Sequence, residues 1–227
     1  MKSFWNASSP DELALVNAAK YFGLEFIGRD NDNMIVIKEG EKSHKFELLN
    51  VIEFTSARKR MTVIIREESS KKIKVLSKGA DSVLMARLIK DPEHEEFTSE
   101  FLEEQAKVGL RTLLLCEKEI SEKQYQEWLT KYEEAGTSLT KREENMFRVA
   151  DEIEWDFHIN GSTAIEDKLQ ENVGETIVRL NQAGIKLWIL TGDKLETAIN
   201  IGFACRLLNT EMELYIIDGK NRSTCLS

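Results

Sequence analysis

Apolar and polar residues alternate in short runs through the first part of the chain and gather into longer blocks after about residue 155. The opening block is helical: Leu13, Val16, Ala19 and Tyr21 follow Ser9 as a cap, with Pro10 at the first helical position, Glu12 completing a capping box and Gly23 as the stop. Strand-like runs follow at 24–28, 34–38, 45–54, 59–66 and 72–78. Met61, Val63 and Ile65 alternate there with more polar neighbours, and the connections are short and polar, as in Glu39-Gly40-Glu41. This pattern predicts an antiparallel meander with one buried face. A short helix at 83–89 and a longer one at 93–108, stopped by Gly109, come next. A strand at 110–116 and two charged amphipathic helices at 121–135 and 141–153 complete this part.

Beyond Trp155 the period changes. Residues 159–165 are mixed, 171–182 read as a helix stopped by Gly184, 185–190 as a strand, 195–208 as a helix and 214–217 as a strand. Strands alternating with helices imply a parallel sheet. The expected fold class is therefore α+β, an antiparallel sheet flanked by helices in residues 1–156, followed by an incomplete doubly wound α/β segment in residues 157–227. The apolar run Ile185-Lys186-Leu187-Trp188-Ile189-Leu190 leads straight into Thr191-Gly192-Asp193 and a helix. Open α/β sheets place ligands at such strand ends, and the N–H groups of the next helix favour a phosphate. Asp193 as a plain helix cap is the alternative.

Bulk properties narrow the partners. A net charge of -9 lacks the cationic excess that nucleic acid requires. Three scattered cysteines form no CxxC and point to a reducing, cytosolic setting, and three isolated histidines give no metal-ligand spacing. No apolar run approaches membrane-spanning length and no leader is visible, so no direct membrane contact is expected of these residues.

Several short segments carry chemistry, each with a structural alternative. Glu12 is either the far half of the capping box or a carboxylate that accepts a hydrogen bond from a ligand amine. In Phe54-Thr55-Ser56-Ala57-Arg58-Lys59-Arg60-Met61 an aromatic is followed by hydroxyls and three cations. An aromatic face stacks on a purine and cations draw a polyphosphate, but an edge turn with solvated charges reads equally well. Lys78 beside Gly79 allows close ligand approach at a strand end, as would any hairpin. Arg111, with Thr112 beside it, is a phosphate clamp or a snorkelling edge residue. Asp167-Lys168 reads first as a helix cap.

In order, these segments match one family. The motifs Ser8-Ser9-Pro10-Asp11-Glu12, Phe54-Thr55-Ser56 with Arg58-Lys59-Arg60-Met61, Lys78-Gly79-Ala80-Asp81, Gly109-Leu110-Arg111-Thr112-Leu113, Ala164-Ile165-Glu166-Asp167-Lys168-Leu169-Gln170 and Thr191-Gly192-Asp193-Lys194 make the chain resemble the cytosolic nucleotide-binding region of phospholipid flippases, the lipid-transporting P-type ATPases. The resemblance covers residues 8–208. It implies a nucleotide-binding domain followed by part of a haloacid-dehalogenase-like phosphorylation domain. It also implies ATP as substrate with Mg2+ accompanying it, and, for the whole protein, a phospholipid, an accessory membrane subunit and a place on the cytosolic face of a membrane. By this resemblance Glu12 would bond the adenine amine, Phe54 stack on the ring, and Lys78 line the same pocket. Arg111 and Thr112 would hold the phosphate chain, Thr191, Gly192 and Asp193 meet the γ-phosphate, and Asp167 sit near a hinge.

Two departures limit what the chain can do alone. The family's nucleophile belongs to an Asp-Lys-Thr-Gly-Thr motif, and neither Asp167-Lys168 nor Asp193-Lys194 continues that way. The Gly-Asp-Gly-Ala-Asn-Asp motif that helps hold magnesium is also missing. The chain is expected to bind ATP without turning it over. The other readings are a stand-alone phosphatase of the haloacid-dehalogenase type and a non-catalytic module that uses its acidic helices.

Overall fold

The computed structural model describes residues 9–138, 140–166, 169–191 and 195–216. Contacts divide the chain into two compact units, one built on residues up to Gln105 and on Leu110–Glu166, the other on Ala106–Gly109 and the residues after Glu166.

The first unit is a seven-stranded sheet in which every strand pairs antiparallel with its sequence neighbour: β1 (Leu24–Arg29), β2 (Ile35–Glu39), β3 (Lys42–Ile52), β4 (Arg60–Glu67), β5 (Ile73–Gly79), β6 (Arg111–Ile120) and β7 (His158–Ile165). The α+β class and the meander expected from alternation are both present. Helix α1 (Pro10–Tyr21) precedes the sheet. Helices α2 (Asp81–Leu84) and α3 (Pro92–Lys107) separate β5 from β6, and α4 (Glu122–Thr137) and α5 (Arg142–Ile153) separate β6 from β7. The single helix expected at 83–89 is α2 followed by one 3-10 turn, Met85–Arg87.

The core lies between one face of the sheet and the α4–α5 hairpin. Period-two burial along β4 and β5 puts Thr62, Ile64, Ile73 and Val75 on this face, where they meet Trp128, Val149, Ala150, Ile153 and Phe157. Ser121 and Gln124 form a reciprocal capping box at the start of α4. The indole N–H of Trp128 donates to the Val149 carbonyl at 2.9 Å and Tyr125 donates to Asn50 Oδ1 at 2.6 Å, so both buried aromatics satisfy their polar ends.

Three expectations are set against the structure. The sequence set Met61, Val63 and Ile65 on the buried face of β4, but Met61 and Val63 are only half-buried, and the alternate set Arg60, Thr62 and Ile64 is enclosed. Polar side chains can occupy that face because a buried carboxylate, Glu154, satisfies them. By contacts the units divide after Glu166, beside the domain boundary expected after residue 156. Residues 158–165 form a full ladder with β6, from Arg111↔Ile165 to Glu117↔His158, and so belong to the first unit. Third, the parallel alternation expected beyond is not formed among the described residues. The second unit holds α6 (Val173–Gln182) and α7 (Leu195–Ala204), and among the described residues neither 185–190 nor 214–216 is assigned to a strand. Trp188 and Leu190 are 84% and 97% exposed. An apolar run becomes a buried strand only when neighbours supply both its hydrogen bonds and its cover. The tail 217–227 lies outside the described residues.

Candidate functional site

The sheet's other face is largely uncovered along β4, β5 and β6, and here the residues singled out by sequence come together. Helix α1 begins as predicted: Ser9 Oγ accepts from the Glu12 N–H at 3.3 Å and Pro10 holds the first turn. The Glu12 side chain does not reach back to close the capping box. It pairs instead with Lys78 on β5. One residue earlier, Asp11 accepts from Arg111 Nη1 on β6 at 3.4 Å. Two ion pairs therefore tie the first turn of a helix that buries no residue fully to two adjacent strands. The four side chains are 25–37% exposed. Pairs of this kind contribute only about 0–1 kcal/mol, so an incoming ligand can exchange with them at little cost.

Beneath the Glu12–Lys78 pair is a cavity of about 450 Å³ lined by Met61 and Val63 of β4, Leu76, Ser77 and Lys78 of β5, Leu115 and Cys116 of β6, and Asn160 of β7. Its floor follows from strand register. Met61 stands opposite Lys78, and Lys78 opposite Leu115, so the alternate residues Leu76, Val63 and Leu115 form a contiguous aliphatic surface. An apolar floor with a few polar groups at its rim is the usual make-up of a small-molecule site.

Phe54 lies in residues 53–59 between β3 and β4. It is 58% exposed and does not line the cavity. Thr112 neighbours Arg111, but strand alternation gives it to the face of Leu114 and Cys116, which are core residues. Thr191 is exposed and belongs to the second unit. Gly192, Asp193 and Asp167 lie outside the described residues.

The cations expected to gather a polyphosphate behave differently. Arg58 and Arg60 are 4% and 2% exposed and converge on Glu154, which is wholly enclosed. Arg60 Nε donates to Glu154 Oε2 at 2.8 Å and Arg60 Nη2 to Asp151 Oδ1 at 2.7 Å, Arg58 Nη2 pairs with Glu154, and the Thr62 hydroxyl donates to Glu154 Oε1 at 2.6 Å. Burial pushes the Arg58 guanidinium below its ordinary range against the opposing pull of Glu154. Burial would raise Asp151, but the hydrogen bond and charge of Arg87, with Trp155 and Arg60, hold it below the usual carboxylate range. These cations are structural. Lys59 alone of the three is exposed. The sequence offered no signal for Glu154, which is 96 positions from Arg58. Asn160 and the aliphatic floor were also missed, although the alternation of Met61 and Val63 was visible.

The first unit is thus a single sheet with one face closed by helices and the other lying beneath a helix N-terminus. The family described as P-type ATPase, cytoplasmic domain N, matches residues 3–172, and the chain belongs to it. Among curated relatives, the phospholipid-transporting ATPase DNF1 of Chaetomium thermophilum is 47% identical over 215 residues, covering 94% of this chain and 14% of its own length. The phospholipid-transporting ATPase DNF2 of Saccharomyces cerevisiae is 46% identical over 219 residues, 93% of this chain and 14% of its own. The probable phospholipid-transporting ATPase 11 of Arabidopsis thaliana is 46% identical over 221 residues, 94% of this chain and 18% of its own. The chain thus spans between 14% and 18% of these three relatives. No helix among the described residues is long and apolar enough to cross a membrane.

Proposed function

We propose that the chain is the ATP-binding cytosolic part of a phospholipid-translocating P-type ATPase, and that the open-face cavity receives the adenine. The observation that carries this reading is the Glu12–Lys78 pair at the rim of an aliphatic cavity of about 450 Å³. Glu12 accepts from the exocyclic amine, the ring lies on Met61, Val63, Leu76 and Leu115, and Phe54, exposed between β3 and β4, closes over it by stacking. Lys78 and Arg111 leave their carboxylate partners for the phosphates, where an ionic partner of higher charge is available. Thr112, on the opposite face, acts by supporting Arg111 from behind. Mg2+ arrives with the triphosphate.

In the whole protein Thr191, Gly192 and Asp193 meet the γ-phosphate, Asp167 lies near the hinge, and the phosphoryl group passes to an aspartate outside this chain. Such a transfer is driven by positioning and charge neutralisation, and its turnover is coupled to moving a phospholipid between leaflets, with an accessory membrane subunit as partner. The stand-alone phosphatase reading gains no support, because the strand that would present Thr191 has no sheet around it among the described residues.

Isothermal titration of the chain with ATP tests the reading. Binding in the high-micromolar range, weakened by Phe54→Ala and Lys78→Ala, is expected, with no release of inorganic phosphate. Unchanged binding in both variants would remove the cavity from the proposal, and magnesium-dependent hydrolysis of a chromogenic phosphate ester would revive the phosphatase.

A further inference from the structure

We infer that Asn160 reads the edge of the base and sets the preference of the cavity for adenine, an inference that rests on the nucleotide reading above. Asn160 is placed by an irregularity of the sheet. The β6–β7 register passes from Leu115↔Gly161 to Cys116↔Ile159, so Asn160 has no residue opposite it. Such bulges re-aim a side chain out of the regular alternation, and Asn160 lines the cavity together with Glu12 and Lys78.

The other polar groups of the lining are already engaged. Glu12 and Lys78 pair with each other, the Ser77 hydroxyl lies 2.9 Å from that of Thr62, and the Cys116 thiol donates to the Ser77 carbonyl. Among the described residues the Asn160 amide makes no hydrogen bond. It is therefore the one neutral donor–acceptor pair that the described lining offers to a ligand.

A side-chain amide presents a donor and an acceptor side by side, which matches an amine next to a ring nitrogen, the pattern of an adenine edge. Guanine shows an oxygen in place of that amine and calls for two donors. Glu12, an acceptor only, also disfavours an oxygen there. Asn160 donates to the ring nitrogen and accepts from the amine, while Glu12 takes the second amine hydrogen.

The test compares ATP, purine riboside triphosphate (identical except for the missing amine) and tripolyphosphate, titrated calorimetrically into the full chain and into Asn160→Ala. Asn160 is exposed, so the substitution leaves the core intact. The native chain should prefer ATP over purine riboside triphosphate by about tenfold, the discrimination of one bidentate contact. In Asn160→Ala that preference should shrink to about twofold, the remainder being the Glu12 contact, with tripolyphosphate unaffected. Methyl resonances of Met61, Val63 and Leu115 are followed in parallel. If ATP shifts them and both proteins keep the same preference, the role of Asn160 is overturned while the nucleotide reading stands. If ATP leaves them unmoved in the native chain, the cavity is not the base site and both fall.

Discussion

The two faces of the sheet use the same chemistry, cation against carboxylate, to opposite ends. On the helix-covered face, Arg58 and Arg60 meet Glu154 with almost no solvent access, and a further hydrogen bond from Thr62 completes the carboxylate's shell. On the open face, Lys78 meets Glu12 and Arg111 meets Asp11 at a third exposure or less than two-fifths. A desolvated pair with every lone pair engaged has no alternative partner, so it fixes geometry. A half-solvated pair can trade its carboxylate for a phosphate. Solvent access separates the two faces, while the residue types are shared.

The sharpest way to break this comparison is to remove one carboxylate from each face. Glu154→Gln leaves the buried Arg58 guanidinium without its counter-charge and Arg60 with Asp151 alone, and should cost about 3–5 kcal/mol of folding stability. Glu12→Gln should cost less than about 1 kcal/mol. Urea unfolding of the two variants decides the matter, and equal losses would mean that the faces do not differ in the way argued.

The second test exchanges stability for ligand affinity. Lys78→Ala should leave the urea midpoint nearly unchanged yet weaken ATP by about 1.5–3 kcal/mol, the range of a hydrogen bond to a charged group. Phe54→Ala should lose about 1–3 kcal/mol of base stacking, with tripolyphosphate binding preserved. A lysine variant that unfolds the chain but binds as before once folded would reverse the roles assigned to the two faces.

Legibility in the sequence followed the same divide. Strand alternation and turn residues gave the meander, because those are local properties. Ser9-Pro10 gave the start of α1 for the same reason, and Glu12, Lys78 and Arg111 could be singled out because strand ends and helix starts are visible locally. The direction in which β4 faces was not legible. Arg60 and Thr62 look like solvent residues until Glu154, remote in sequence, is brought beneath them. Asn160 was equally hidden, since a register slip between β6 and β7 is a property of two strands. Residues 185–190 failed in the opposite sense: the local pattern was that of a strand, but pairing is not local.

A smaller effect separates the faces by pH. Asp151, bridging Arg60 and Arg87 at the edge of the buried network, is held below its ordinary range. A group whose folded pKa is depressed adds stability above its unfolded value, near 3.9, and that stability is lost as the pH falls towards the folded value. Thermal stability of the native chain should therefore fall off below about pH 4 more steeply than that of Asp151→Asn. Parallel curves for the two proteins would show that the Arg87 and Arg60 contacts do not favour the ionised carboxylate.

The smallest predicted effect is an absence of reaction. Cys116 sits on β6 between the buried network and the cavity, and burial, helped by the charge of Glu154, pushes its thiol up to about 12. Only the thiolate is nucleophilic, and at pH 8 such a group is ionised to roughly one part in 10⁴. In a Cys205→Ser, Cys225→Ser chain, a disulfide reagent should therefore leave Cys116 untouched for as long as the fold persists and label it promptly in urea. ATP should not change this, because the buried thiol is already engaged with the Ser77 carbonyl. Rapid labelling of the folded chain would mean that solvent reaches the thiol and that its burial between the network and the cavity is not maintained.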